Sequence, residues 1–255
     1  MSASNADDKL QSMPPNEGIP PLCFEVLADT VAVARRAAAC VADAARQAIR
    51  ERSRFLLALS GGRTPQPMFG FLAAEAIDWR QVDVVQVDER IAPLGDPERN
   101  LTQLRHLLFS RVPLSAGQIH GMPVEERDLP AAAESYEQLL RRLAGSPPRL
   151  DLIVLGLGAD GHTASLVPED PVLDVRDADV ALTRPYKAWR RMTLTFPIIN
   201  RARRVLWLVT GEEKREAVVR LACGDPSLPA SRVSRTSSLL LADVSAAAGL
   251  PSPRA

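Results

Sequence analysis

Residues 151–168, DLIVLGLGADGHTASLVP, constrain this chain more than any other segment. An apolar run ending at Leu155 is cut off by Gly156, Gly158 and Gly161, and His162, one of three histidines in the protein, follows directly. The run is too short for a helix and reads as a buried strand of a parallel sheet. Its glycines permit a tight turn and close backbone approach to a ligand. Asp160 and His162 then stand at the carboxyl end of a strand, where open α/β sheets place their ligands.

Two other readings of the same segment compete. Gly156, Gly158 and Gly161 fit G-x-G-x-x-G, the dinucleotide-binding fingerprint. That motif needs a long helix opening at the glycines, and an acidic residue at a strand end about 20 positions on. Pro168 and Pro171 cut any following helix to little more than a turn, and Asp177 and Asp179 lie in a polar stretch. In the other reading, His162 merely caps or packs a structural turn.

Composition narrows the classes. The 31 acidic and 31 basic side chains cancel, so no field of one sign points to nucleic acid or an anionic membrane. Lys9, Lys187 and Lys214 are the only lysines beside 28 arginines. That skew reflects coding bias more readily than function, and it draws attention to each lysine. Cys23, Cys40 and Cys223 are odd in number and widely spaced, against a disulfide framework or a cysteine zinc site. The polar N-terminus has no apolar signal core, and no stretch approaches the ~18 apolar residues of a membrane span. A reducing cytoplasm is the expected compartment. The sequence leaves the oligomeric state open, with a monomer as the default.

Residues 1–21 read as a disordered arm ahead of one α/β domain over 22–255. Strands are expected near 23–26, 55–59, 82–87, 119–122, 151–155, 191–196, 205–210 and 239–241. Helices are expected at 29–52, 100–111, 130–144 and 212–222, with another opening at Thr64 (N-cap) and Pro65 (first helical residue). The alternation predicts an open, mostly parallel, Rossmann-like sheet with helices on both faces.

Three loops end three of these strands: Ser60–Pro65, Asp88–Arg90 and Gly156–His162. In a parallel sheet they can converge on one edge. The backbone N–H groups of Gly61 and Gly62, the Thr64 hydroxyl and the helix behind them suit a phosphate or carboxylate, or else simply cap the helix. Asp88 and Arg90 alternate around Glu89 and so project the same way from an extended segment, or form a surface ion pair. His106 and His120 read as structural or surface groups. With no second histidine near His162 and no H-E-x-x-H, no metal site is expected.

On LALSGGRTP (57–65), VDER (87–90) with Asn100, DLIVLGLGADGHTASLVP (151–168), RRMTLTFPIIN (190–200) and LVTGEEK (208–214), the chain resembles the 6-phosphogluconolactonase family. That family shares a superfamily with glucosamine-6-phosphate isomerase/deaminase. The segments run in family order through nearly the whole folded part. Arg99, where serine is usual, and the lack of a tryptophan in SSLLLAD (237–243) depart from the pattern.

The resemblance implies a cofactor-free cytoplasmic hydrolase of the pentose phosphate pathway, acting on a small sugar-phosphate lactone. It places Asp88 and Arg90 in the site and adds Arg191 and Lys214 to Gly61, Gly62 and Thr64 as phosphate-binding groups, with Arg190 a rival to Arg191. Histidine, with a reference pKa of about 6.5, suits a base that activates water and then returns a proton to the leaving oxygen. His162 takes that part. Asp160 orients it or holds sugar hydroxyls, and Arg90 holds the oxyanion or the substrate.

Two alternatives belong to other classes. The amino-sugar isomerases carry a glutamate where this chain has Val167, which cannot transfer a proton. A non-catalytic sugar-phosphate sensor would usually carry a helix-turn-helix, which residues 1–21 cannot form.

Overall fold

A computed structural model describes residues 20–250. The expected arm at 1–21 therefore lies, apart from Pro20 and Pro21, outside the described residues. Ten strands are present among the described residues: β1 Cys23–Leu27, β2 Phe55–Leu59, β3 Val82–Gln86, β4 Asp88–Arg90, β5 Ile119–His120, β6 Leu152–Gly156, β7 Val180–Leu182, β8 Arg191–Leu194, β9 Val205–Val209 and β10 Ser238–Asp243. Seven of them form an entirely parallel sheet in the order β1-β10-β9-β6-β2-β3-β5. β2, β6 and β9 lie at its middle, and each is apolar nearly throughout because both its faces are covered.

The α-helices are α1 Thr30–Arg52, α2 Gln66–Ala73, α3 Asn100–Leu104, α4 Leu129–Ala144, α5 Phe196–Arg201 and α6 Arg215–Cys223. α1 is opened by Asp29, whose carboxylate accepts from Ala32 N at 2.8 Å. Its Val33, Ala37, Val41, Ala44 and Ala48 are buried against β2, β9 and α2, as their spacing predicts. The small alanines let the helix lie close to the sheet. On the opposite face, Tyr136 and Leu140 of α4, Ile198 and Ile199 of α5, and Val218 and Leu221 of α6 cover Leu155, Val205 and Trp207.

Three local expectations change. Arg191–Phe196 is not part of the main sheet: β8 pairs antiparallel with β4 and β7 in a second, three-stranded sheet. That strand stops at Leu194 because Pro197 sits in the first turn of α5, where its missing N–H costs nothing. Thr64 is not a helix cap. Pro65 occupies the N-cap position in helical geometry, α2 starts at Gln66, and no side chain caps it. At 212–222, a 3-10 turn, Glu212–Lys214, precedes α6, so Lys214 stands before the helix and not in its first turn.

Candidate active site

Four parallel strands end at one edge, and their following segments wall a cavity of about 450 Å³. β2 runs into Ser60–Pro65, β3 into β4, β6 into the glycine loop, and β9 into Thr210–Lys214. Gly61, Gly62, Thr64, Asp88, Arg90, His162, Arg191 and Lys214 all line the cavity. Asp160 does not. It stands behind His162, with its Oδ1 2.5 Å from the ring Nδ1.

The glycine loop is shaped around that pair. A Cβ on Gly158 would lie 2.1 Å from His162 Nδ1 and 2.4 Å from Asp160 Oδ1, a separation no side chain tolerates. Gly161 takes φ +83°, and Gly158 N–H closes the turn by donating to His162 O at 2.8 Å. The Asp160–His162 contact uses Nδ1, so Nε2 is the nitrogen left for chemistry. Burial pushes the Asp160 carboxyl upward, but hydrogen bonds from His162 and from the Tyr186 hydroxyl (2.8 Å to Oδ2) overcome this and hold it well below the usual carboxylate range.

The β4 segment separates its side chains as alternation predicts. Asp88 and Arg90 face the cavity, while Glu89 points into the protein and is fully buried. Its carboxylate accepts from Asn100 N and Leu101 N, both at 2.8 Å, and so caps the short helix α3. Arg99, the departure from the family pattern, is also buried and pairs with Glu89 at 3.2 Å. It is part of the scaffold beneath the site.

Asp88 accepts from Ser165 Oγ at 2.6 Å and from Asn100 Nδ2 at 3.3 Å. Burial raises its carboxyl above the ordinary value, against the Ser165 bond and the nearby Arg191 and Arg90. Arg191 is buried too, which lowers its guanidinium from the ordinary value despite Asp88. Its Nε has no hydrogen-bond partner. Arg90 and Arg191 are directly opposed across the β4–β8 ladder, an arrangement of like charges that is unfavourable without an anion between or above them. Arg190, the rival claimant, is exposed, does not line the cavity, and donates to Thr183 O at 3.3 Å.

Reading the sequence missed four contributors. Arg63 lines the cavity from within the glycine pair's own loop. Asn100 binds the Asp88 carbonyl at 2.8 Å and lies so close to Gly61 that a Cβ there would meet its Oδ1 at 1.9 Å. A charged residue beside Gly-Gly, and an asparagine already inside a matched segment, were available signals. Ser165 also lay inside a matched segment, but its partner Asp88 is 77 positions away, and Tyr186, 26 positions from Asp160, carried no signal. His120 is structural as expected, 2.8 Å from Asp83. Among the described residues, no three His, Cys, Asp or Glu side chains gather as metal ligands, and no helix is long and apolar enough to cross a membrane.

Comparison with known proteins shows the family of the chain. The family model for glucosamine-6-phosphate isomerases/6-phosphogluconolactonase matches residues 28–241. A 6-phosphogluconolactonase of Mycobacterium bovis is 38% identical over 90% of this chain and 98% of its own. One from Synechocystis is 38% identical over 76% of this chain and 82% of its own. The crystal structure of 6-phosphogluconolactonase from Thermotoga maritima superposes with a TM-score of 0.78 at 28% identity, covering 87% of this chain and 98% of that one. The chain therefore belongs to the 6-phosphogluconolactonase family, within the superfamily shared with the glucosamine-6-phosphate isomerases.

Proposed function

We propose that the protein hydrolyses 6-phospho-D-glucono-1,5-lactone to 6-phospho-D-gluconate, with His162 as general base. The observation that carries this reading is the Asp160–His162 pair at the wall of a cavity whose arginines and lysine form no ion pair among the described residues. Nε2 of His162 takes a proton from water as the water oxygen attacks the lactone carbonyl. Asp160 holds the ring through Nδ1 and stabilises the imidazolium that forms. Arg90 steadies the oxyanion of the tetrahedral intermediate. The imidazolium then returns its proton to the ring oxygen as the ester bond breaks, leaving a carboxylic acid and a hydroxyl.

Phosphate capture falls to Lys214, Arg191, Thr64 and the backbone N–H groups of Gly61 and Gly62. Lys214 has no ion-pair partner among the described residues, and the Arg191 Nε is unused. A dianionic phosphate satisfies both and relieves the repulsion between the opposed arginines. The matched relatives, described as 6-phosphogluconolactonases over most of their length, support the substrate. The isomerase alternative is disfavoured at Val167, which is buried and aliphatic.

The test is to generate the short-lived lactone in situ and follow acid release with and without the protein. Acceleration that is lost in His162→Ala is expected; no acceleration by the intact protein would remove the proposal.

A further inference from the structure

Tyr186 touches both halves of the candidate site while lying outside the cavity. Its hydroxyl donates to Asp160 Oδ2 at 2.8 Å, and its ring meets the His162 ring edge-on with centroids 5.5 Å apart. The Arg191 guanidinium carbon lies 5.2 Å from the same ring's centroid. The tyrosine is held in turn by a tight connection between β7 and β8. Tyr186 and Trp189 exchange backbone hydrogen bonds of 3.0 and 3.4 Å, and Lys187 turns the chain with φ +56° and sets its ammonium 5.3 Å from the ring.

We infer that Tyr186 is a positioning residue, which clamps the free oxygen of Asp160 so that His162 is held in one tautomer and one orientation, and which braces Arg191 against the same ring. The inference rests on the role proposed for His162. The physical need for a clamp comes from Asp160 itself. Its side chain is 36% exposed and its loop is built of glycines, and His162 holds it only at Oδ1, through the ring Nδ1 and, at 3.3 Å, the backbone N–H, so Oδ2 has no anchor on that residue. The hydroxyl occupies Oδ2 and leaves Oδ1 for the imidazole N–H. The second, antiparallel sheet thereby supports a loop of the main sheet.

Tyr186→Phe and Tyr186→Ala separate the two contacts. The Phe variant keeps the ring beside Arg191 and loses only the hydroxyl. Its kcat is expected to fall roughly three- to tenfold, the scale of one hydrogen bond, with KM nearly unchanged. The acid limb of its pH–rate profile is expected to move to higher pH, because the charge that Asp160 shared with the hydroxyl now falls wholly on the imidazolium. Arg63, Asp88, Arg90, Arg191, Glu213 and Lys214, the other charged groups around the cavity, are unaltered in that variant. Tyr186→Ala is expected to raise KM as well, since Arg191 loses its support.

Nitrogen-15 chemical shifts of the His162 ring read the same inference without turnover. The intact protein is expected to show one tautomer protonated on Nδ1, and Tyr186→Phe a mixture. A Phe variant with unaltered kcat, acid limb and ring shifts would overturn the inference while leaving the lactonase proposal intact. A rise in KM alone would overturn it too, by moving Tyr186 into substrate binding. An intact protein with no lactonase activity would instead break the reading of His162, and the ring shifts would still judge the clamp.

Discussion

Two clefts at opposite edges of the main sheet are built from the same residue types and differ in how their charges are matched. At the amino edge, a cavity of about 210 Å³ is lined by Arg52, Arg149, Arg203 and Arg204 with Glu51 and Asp151. There Arg52 lies 3.0 Å from Asp151 and 2.5 Å from Glu51, and Arg203 lies 3.3 Å from Asp151. Arg204 donates to Gln47 at 2.6 Å and Arg149 to the Arg201 carbonyl at 3.1 Å. At the carboxyl edge, Arg63, Arg90, Arg191 and Lys214 line the cavity and none has a carboxylate within 4 Å among the described residues; the ion pair there is His162–Asp160. Arginine density therefore says little. Both edges have arginines that donate to neutral oxygens, as Arg90 does to Glu98 O and Asn100 Oδ1 and Arg191 to Ser165 Oγ. Only the amino edge pairs any of them with carboxylates, at Arg52 and Arg203, and the cations without a carboxylate mark the edge where an anion is proposed to bind.

The contrast breaks most sharply at His162. His162→Ala is expected to slow lactone hydrolysis by roughly 10²–10⁴-fold while product still binds, measured by steady-state kinetics and titration of 6-phosphogluconate. Near-normal turnover in the folded variant would remove His162 as the base. Lys214→Ala should weaken phosphorylated substrate by about 1.5–3 kcal/mol, roughly ten- to hundredfold, and the unphosphorylated lactone much less. An equal loss for both lactones would show that Lys214 does not read the phosphate.

Across the sheet the expected effect is on stability. Asp151 also accepts from Leu56 N at 2.9 Å, at the entry to β2. Asp151→Ala strands that buried N–H and should cost about 1–3 kcal/mol in denaturant unfolding, with kcat/KM unaltered. A large kinetic effect there would erase the distinction between the two edges.

The smallest effect concerns Asp160. Its carboxyl is held below its ordinary value in the folded protein, so the ionised group stabilises the fold. That contribution is complete above the ordinary carboxylate pKa of about 3.9 and is lost as pH falls from there toward the depressed folded value. Asp160→Asn should therefore melt slightly lower than the parent at neutral pH, and the two melting curves should converge in acid. A gap that widened toward acid would contradict the sign.

Much of the fold was legible because apolar runs and glycine punctuation recur with the period of their elements. The Leu152–Gly156 strand, the alanine helix after Asp29 and the convergence of three loops at one edge follow from local pattern and from the parallel topology it demands. Alternation alone separated Asp88 and Arg90 from Glu89. Local pattern was weaker at element ends. Thr64 looked like a cap until the helical geometry of Pro65 took that position, and Arg191–Leu194 had the composition of a main-sheet strand until β4 claimed it as an antiparallel partner.

By itself, then, the sequence determined the layered α/β architecture, the glycine loop that seats Asp160 beside His162, and the set of loops that meet there. Only the tertiary structure decided which charges remain unpaired. Arg191 faces the cavity and Arg190 does not, Ser165 reaches Asp88 across 77 residues, and Tyr186 closes on Asp160 from the connection between two strands of the second sheet. The physical reason is that secondary structure is set by short-range periodicity. Neutralising a charge instead needs a partner within about 4 Å, and strands distant in sequence supply that partner only when they pack together.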